Sequence, residues 1–262
     1  MSSKFLEMVV AETRERVASA RSNCYFDKLK KAAEMRSEVN RCGRLSSAFN
    51  ADSVNIIAEI KRSSPSKGVL KAEVDVPQTA KLYAAGGAAA ISVLTEPKHF
   101  DGSISDLVTV TKTVELPILR KDFIVDEYQI VEAAAAGASA ILLIVAALEI
   151  NELEALHSTA NDLGLDVLVE VHNASEMHTA IDFGATIIGV NNRDLSSLEV
   201  SLDTSRKLVE LKPDGAVLIS ESGITSREEI DELRGLGYDG FLIGETLMRS
   251  GNVIETLRGL TR

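Results

Sequence analysis

From Asn55 to the end of the chain, short runs of apolar and β-branched residues alternate with amphipathic segments, and the pattern repeats eight times. The runs cover 55–61, 88–95, 117–121, 138–145, 165–171, 186–191, 215–221 and 239–244. The segments that follow them cover 77–86, 103–114, 126–136, 149–163, 174–183, 203–211, 226–236 and 252–260. A continuously apolar run suits a strand buried on both faces, as in a parallel sheet, and helical periodicity after each run supplies the return. Gly137, Gly164 and Gly184 follow helical segments, where a left-handed residue ends a helix. Thr225 or Ser226, with Glu228 and Glu229 behind it, marks a helix start. Eight such units predict an α/β protein, a closed (β/α)8 TIM barrel, with a doubly wound open sheet as the competing architecture. The 262 residues suit one barrel, a fold that takes about 250. Gly86-Gly87 and Gly235-x-Gly237 read as helix-to-strand turns, because neither sits in a GxGxxG or GxxxxGK phosphate loop.

The first 50 residues have another texture. Phe5, Leu6, Val9, Val10 and Val17 recur at helical spacing, a second polar helical segment runs from Phe26 to Val39, and neither proline nor a strand signal interrupts them. The expected division is therefore an N-terminal helical extension over 1–50, packed on a catalytic barrel over 51–262. Hydrophobic residues at 45% can fill a large core, and the longest apolar run, Ala138 to Leu148, is broken by Ser139. That run falls short of the roughly 20 residues needed to span a membrane. Lys4, Glu7, Glu12 and Arg14 leave no room for a signal peptide, so a cytoplasmic protein is expected. Cys24, Cys42 and the four histidines show no ligand spacing, and neither a metal, another cofactor nor a disulfide is expected. A net charge of −11 with 4% aromatics speaks against nucleic acid. It leaves open an anionic small molecule held by a local group of lysines.

In a β/α barrel the chemistry collects where the strands end. Glu59 and Lys61, two apart and so on one face, close the first run; Lys121 closes the third and Phe123 lies two further on. Glu170 closes the fifth, Asn191 and then Arg193 the sixth, Glu221 and Ser222 the seventh, Gly244 and Glu245 the eighth. Ser222-Gly223 and Gly244-Glu245 suit a phosphate cup, since glycine lets backbone N–H groups approach an anion closely. Two lysines, three carboxylates and an anion cup point to general acid–base chemistry on a phosphorylated small molecule.

The motifs at these ends resemble one family. IAEIKRSSPSKG at 57–68 is similar to the first-strand signature of the indole-3-glycerol phosphate synthases. The likeness continues through TEPKHFDGS at 95–103, ILRKDFIVDEYQI at 118–130, LVEVH at 168–172, GVNNRDL at 189–195, SESGI at 220–224 and FLIGETLM at 241–248. It covers residues 50–262, and the charged helical N-terminus resembles the extension that covers part of the mouth in that family. The resemblance implies conversion of a carboxyphenylamino-deoxyribulose phosphate to indole-3-glycerol phosphate, with loss of carbon dioxide and water. It makes Lys121 the general acid, Glu170 the general base, and Lys61 and Ser64 the contacts to the substrate carboxylate. Lys61 also assists departure of the hydroxyl, while Glu59 and Asn191 hold lysines and substrate hydroxyls in register. Phe100 and Phe123 grip the aromatic ring. Ser66, Ser222, Gly223, Gly244 and Glu245 form the phosphate cup, with the Glu245 side chain turned away from the anion. Arg193 pairs with carboxylates in the mouth. The chain is expected to act as a monomer, and a separate pathway partner is left open. Competing readings are a phosphoribosyl isomerase or keto-acid aldolase on the same barrel, and a non-catalytic binding module.

Overall fold

The computed structural model describes residues 4–23, 26–37, 44–49, 52–65, 68–70 and 73–262, so Cys24, Cys42 and Ser66 lie outside the described residues. Eight parallel strands form a closed barrel. They are β1 (Asn55–Ile60), β2 (Ala90–Leu94), β3 (Ile118–Lys121), β4 (Ala140–Ile144), β5 (Asp166–Val171), β6 (Ile187–Asn191), β7 (Val217–Glu221) and β8 (Gly240–Ile243). Each pairs with the next, and β8 returns to β1 through Asn55↔Gly240 to Ala58↔Ile243. Closure removes the two free edges an open doubly wound sheet would keep.

Helices Val76–Gly86, Ile104–Thr113, Glu127–Ala136, Ile150–Asp162, Ala174–Asp182, Asp203–Leu208, Arg227–Leu236 and Val253–Thr261 form the outer ring. Their starts are fixed as the sequence predicts: Ser226 accepts from the amide of Glu229, whose carboxylate reaches back to complete a capping box. Gly137, Gly164 and Gly184 have φ of 89°, 71° and 82°, the left-handed region expected of them. Strands β2 and β4 open two residues later than the apolar runs suggest. The amides of Ala88 and Ala138 still bond back to Tyr83 and Ala133, so these residues finish the preceding helix instead of joining the sheet. The segment at 203–211 changes from α-helix to a 3-10 turn at Val209–Leu211, and a four-residue helix, Glu245–Met248, is too short to leave a periodic signal.

Side chains alternate across each strand, giving two cores. Ile56, Ala58, Ile91, Val93 and Ile118 face the helices, while Ile57, Ala90, Leu119, Ala140, Leu168, Ile187, Ile219 and Leu242 fill the barrel. Arg120 also faces outward and is only 1% exposed. Its guanidinium bonds Thr95 Oγ1 at 3.1 Å, the Gln129 carbonyl at 2.6 Å and Asp122 at 3.0 Å, with Glu132 at 2.8 Å. Each nitrogen of this buried cation therefore has an acceptor, as burial demands.

The residues before β1 close the barrel at both ends. Helix Lys4–Asn23 buries Leu6, Val9, Thr13 and Val17 and reaches the mouth through Arg14–Glu152 at 2.9 Å, Arg16–Asp122 at 3.2 Å and Arg21–Asp126 at 3.1 Å. Helix Phe26–Ser37 follows, and short helix Arg44–Ser47 plugs the opposite end. There Leu45 joins the interior cluster, its amide donates to Asp166 Oδ2 at 2.7 Å, and Phe49 lies where a Cβ on Gly240 would otherwise sit. Among the described residues no helix is long and apolar enough to cross a membrane. Leu45→Ala should lower unfolding free energy by about 2–5 kcal/mol, the range for a fully buried leucine. A denaturant midpoint unchanged from the parent would show that the plug carries no such load.

Candidate active site

The barrel's upper interior layer is charged. The odd strands β1, β3, β5 and β7 each carry an inward residue at or next to their last position, and these are Glu59, Lys121, Glu170 and Glu221. One residue pair lower, the same strands contribute Ile57, Leu119, Leu168 and Ile219 to the apolar filling. Layers of four side chains from alternate strands are how such a barrel packs, so the four charged groups meet because of strand parity. Lys121 Nζ lies 3.1 Å from Glu170 Oε2 and 3.2 Å from Glu221 Oε2, and Lys61 Nζ lies 2.5 Å from Glu59 Oε2. Asn191 Nδ2 donates to Glu170 Oε1 at 3.1 Å.

Two glycines make room for this layer. A Cβ on Gly189 would collide with Oε1 of Glu221, and one on Gly244 with Oε2 of Glu59. Gly244 thus leaves room for the Glu59 carboxylate, a use beside the close phosphate approach expected from the sequence. Its φ of −118° needs no glycine.

Burial and charge set the protonation states. Burial alone would push the Lys121 ammonium down, but Glu170, Glu221 and Glu59 outweigh it and hold the proton more tightly than usual. Burial would raise Glu170, yet Lys121, His172 and Asn191 hold it below the carboxylate range. Glu221 is 1% exposed, and burial, helped by the nearby Glu170 and Glu59 charges, pushes its carboxyl up to about 7 despite Lys121. Two buried carboxylates on one lysine therefore divide into a firm anion and a group that is protonated near neutrality.

Above the layer opens a cavity of about 550 Å³, of a size for a small-molecule substrate. One wall is apolar: Phe100 and Phe123 stand with centroids 6.2 Å apart at 42°, joined by Leu94, Leu142 and Ile144. Phe5 of the N-terminal helix completes it, lying edge-on to His99 at 5.5 Å. Glu96 fixes the Phe100 loop by accepting from the amides of Lys98, His99 and Phe100. Glu12 clamps the same loop through Lys98 and, at 2.7 Å, His99.

The other wall is polar. Ser222, Gly223, Gly244 and Glu245 all line it, and Ser222 and Gly223 have φ of 66° and 84°. Asn192 fixes that turn, its amide donating to the carbonyls of Glu221 at 3.0 Å and Ser222 at 3.1 Å. Glu245 pairs with Arg249 at 3.1 Å, which gives its carboxylate a partner of its own. Ser64, on a small hairpin Ser63–Ser64 against Gly68–Val69, lines the mouth from the β1 side. Arg193 lines the cavity but also closes its own loop, bridging Val200 through the backbone and donating to the Leu198 carbonyl at 2.9 Å. The cavity thus gathers every predicted site residue except Ser66, which is outside the described residues.

A profile of the indole-3-glycerol phosphate synthases matches residues 6–260. The chain belongs to the indole-3-glycerol phosphate synthase family. Members of this family are decarboxylating lyases of tryptophan biosynthesis. The synthase of Koribacter versatilis is 51% identical over 207 residues, covering 79% of this chain and 80% of that one. The synthase of Carboxydothermus hydrogenoformans is 45% identical over 261 residues, covering 97% of this chain and 99% of that one. Among solved structures, 3-hexulose-6-phosphate synthase from Salmonella typhimurium overlays with a TM-score of 0.64 at 13% identity, covering 79% of this chain and 96% of that one. This last likeness shows the barrel alone.

Sequence reasoning missed Phe5, read only as part of a helical repeat, and Glu96, whose role is to hold backbone amides. Glu221 counted among the carboxylates of the mouth without being given a role, and His172 entered only as the last residue of LVEVH.

The raised Glu221 carboxyl gives a pH test. Because its folded value stands at about 7 against an ordinary 4.5, the folded chain holds extra proton between these values. This group's contribution therefore falls as pH rises through that window. Glu221→Gln should be more stable than the parent at pH 8 by up to roughly 3–4 kcal/mol, at about 1.4 kcal/mol per unit of displacement. The gain should vanish near pH 4.5. Urea titrations at both pH values check it; a loss at pH 8 would mean Lys121 needs the Glu221 charge.

Proposed function

We propose that this chain converts 1-(2-carboxyphenylamino)-1-deoxyribulose 5-phosphate into indole-3-glycerol phosphate, carbon dioxide and water. The observation that carries this reading is the single ammonium of Lys121 set between Glu170 and Glu221 beneath a cavity with one aromatic and one polar wall. The phosphate binds at Ser222, Gly223, Gly244 and Glu245 through backbone N–H groups, and Ser66 is a further contact proposed from the sequence. The aryl ring stacks between Phe100, Phe123 and Phe5, and the substrate carboxylate meets Lys61 and Ser64. Arg193 adds positive charge at the rim.

In ring closure the aryl carbon bearing the carboxylate forms a bond to the ketone carbon, and Lys121 protonates the ketone oxygen. The bond to the carboxylate then breaks, carbon dioxide leaves, and its electron pair restores the aromatic ring. In dehydration Lys61 protonates the departing hydroxyl and Glu170 removes the adjacent C–H proton, while Glu59 and Asn191 hold Lys61 and Glu170 in place. Two protons are delivered and one is recovered, so each turnover draws one proton from solvent. A carboxylate held below its ordinary range suits a base that must stay ionised beside a substrate anion.

The aldolase reading would need a neutral amine for Schiff-base formation. Lys121 is held as the ammonium, the state a proton donor starts from and a Schiff-base nucleophile cannot use. The segment 1–50 acts in this proposal as an extension of the barrel of 51–262, its helix Lys4–Asn23 roofing the mouth and contributing Phe5. The chain works as a cytoplasmic monomer on a small phosphorylated molecule, without cofactor, nucleic acid or membrane.

The first assay is fluorescence-detected formation of indole-3-glycerol phosphate by purified protein; no turnover by folded protein would discard the substrate. Lys121→Ala should lower kcat by about 10²–10⁴, the usual contribution of a general acid, with the fold intact by circular dichroism. Near-normal kcat would remove Lys121 from the mechanism. Glu170→Gln should slow dehydration selectively, so that a ring-closed intermediate accumulates in a single turnover.

A further inference from the structure

One buried charged group next to the site has no part in the chemistry above. His172 follows the last residue of β5, its side chain is 9% exposed, and it stands behind Glu170, outside the cavity lining. Nε2 lies 3.2 Å from Glu170 Oε1 and Nδ1 lies 2.9 Å from Glu176 Oε2. The Nε2 contact lies off the hydrogen-bond line, so it is an ion-pair contact and not a directed bond. Glu176 is itself fixed, taking the backbone N–H of His172 at 2.8 Å and the Asn173 amide at 2.5 Å.

We propose that His172, held by Glu176, is a positioning residue for Glu170 that turns one carboxylate oxygen backward and leaves the other for the proton. The inference rests on Glu170 being the general base. Oε1 is taken from behind by His172 and from the side by Asn191 Nδ2 at 3.1 Å. Oε2 is left toward Lys121 and the cavity. With both ring nitrogens against carboxylates, the ring has two donors to offer only when protonated. Burial works against that charge, but Glu170 and Glu176 overcome it and raise the imidazole to about 10. Asp194, in the loop after β6, also feels the His172 charge. Lys121 and Asn191 act on it only through Glu170. A base oriented by a third group is the arrangement that fixes both the direction and the charge state of the accepting atom.

The test uses the full chain with His172→Gln, Glu176→Gln and Glu170→Gln. His172→Gln should lower kcat roughly 10–100-fold, the range for partners that orient a working group. Its KM should stay within about threefold, since substrate binding is untouched. In single turnover its ring-closure phase should match the parent and its dehydration phase should lag. Glu176→Gln should shift the same phase in the same direction by less. Nitrogen-15 NMR of labelled histidine in the parent should find His172 protonated at pH 8, a readout that packing alone would not produce. Wild-type dehydration in folded His172→Gln, equal slowing of both phases with raised KM, or a neutral ring at pH 8 would each overturn the inference. Should His172→Gln not fold, Glu176→Gln and the NMR measurement decide. If Glu170→Gln itself dehydrates normally, the assignment of the base fails; if it stalls while His172→Gln does not, only the positioning role fails.

Discussion

Strand parity in the barrel is the constraint on which the rest depends. Because alternate strands fill one layer, the residues at positions 59, 121, 170 and 221 must share one level of the interior, whatever their chemistry. Three of the four are glutamates, and charge of one sign in a desolvated layer is unfavourable. The structure resolves this in three ways. Lys121 takes two of them, Lys61 takes the third, and Glu221 is pushed toward its protonated form. The layer beneath, Ile57, Leu119, Leu168 and Ile219, admits no polar partner from below. The charges therefore face the mouth, where a substrate can complete them.

Around this layer, precision comes from groups that touch no substrate. Glu96 holds three amides ahead of Phe100, Asn192 holds two carbonyls at the Ser222 turn, and Arg120 with Asp122 braces the strand that carries Lys121. Asp122 also accepts Arg16 from the N-terminal helix and Thr95 from the end of β2. One carboxylate thereby ties the roof, the aromatic loop and the strand of the proposed acid together. Such supports matter because a buried donor or acceptor without a partner is costly.

How much was legible in the sequence follows from the same geometry. Lys121, Glu170, Asn191, Glu59 and Lys61 could be read because a polar residue ending an apolar strand points to one mouth, and counting strands was enough. Helix ends could be read because Gly137 and Ser226 act locally. The room that Gly244 leaves for Glu59 could not, since the two stand 185 positions apart in the chain. Nor could Phe5, whose place in the cavity depends on how a separate helix docks. Arg120 interrupts an apolar run, and the ring of acceptors behind β3 explains it. His172 lies one residue past a strand end, where alternation no longer tells which way a side chain turns.

The roof also has a place in time. Helix Lys4–Asn23 leaves the ribosome before any strand, yet Asp122, Asp126, Glu127 and Glu152, which receive its arginines, belong to the middle of the chain. This helix must therefore wait until the chain has been made through Glu152 before it can settle. Catalytic competence is then a late event of biosynthesis: a partly synthesised chain can own strands and cores, but not a closed site.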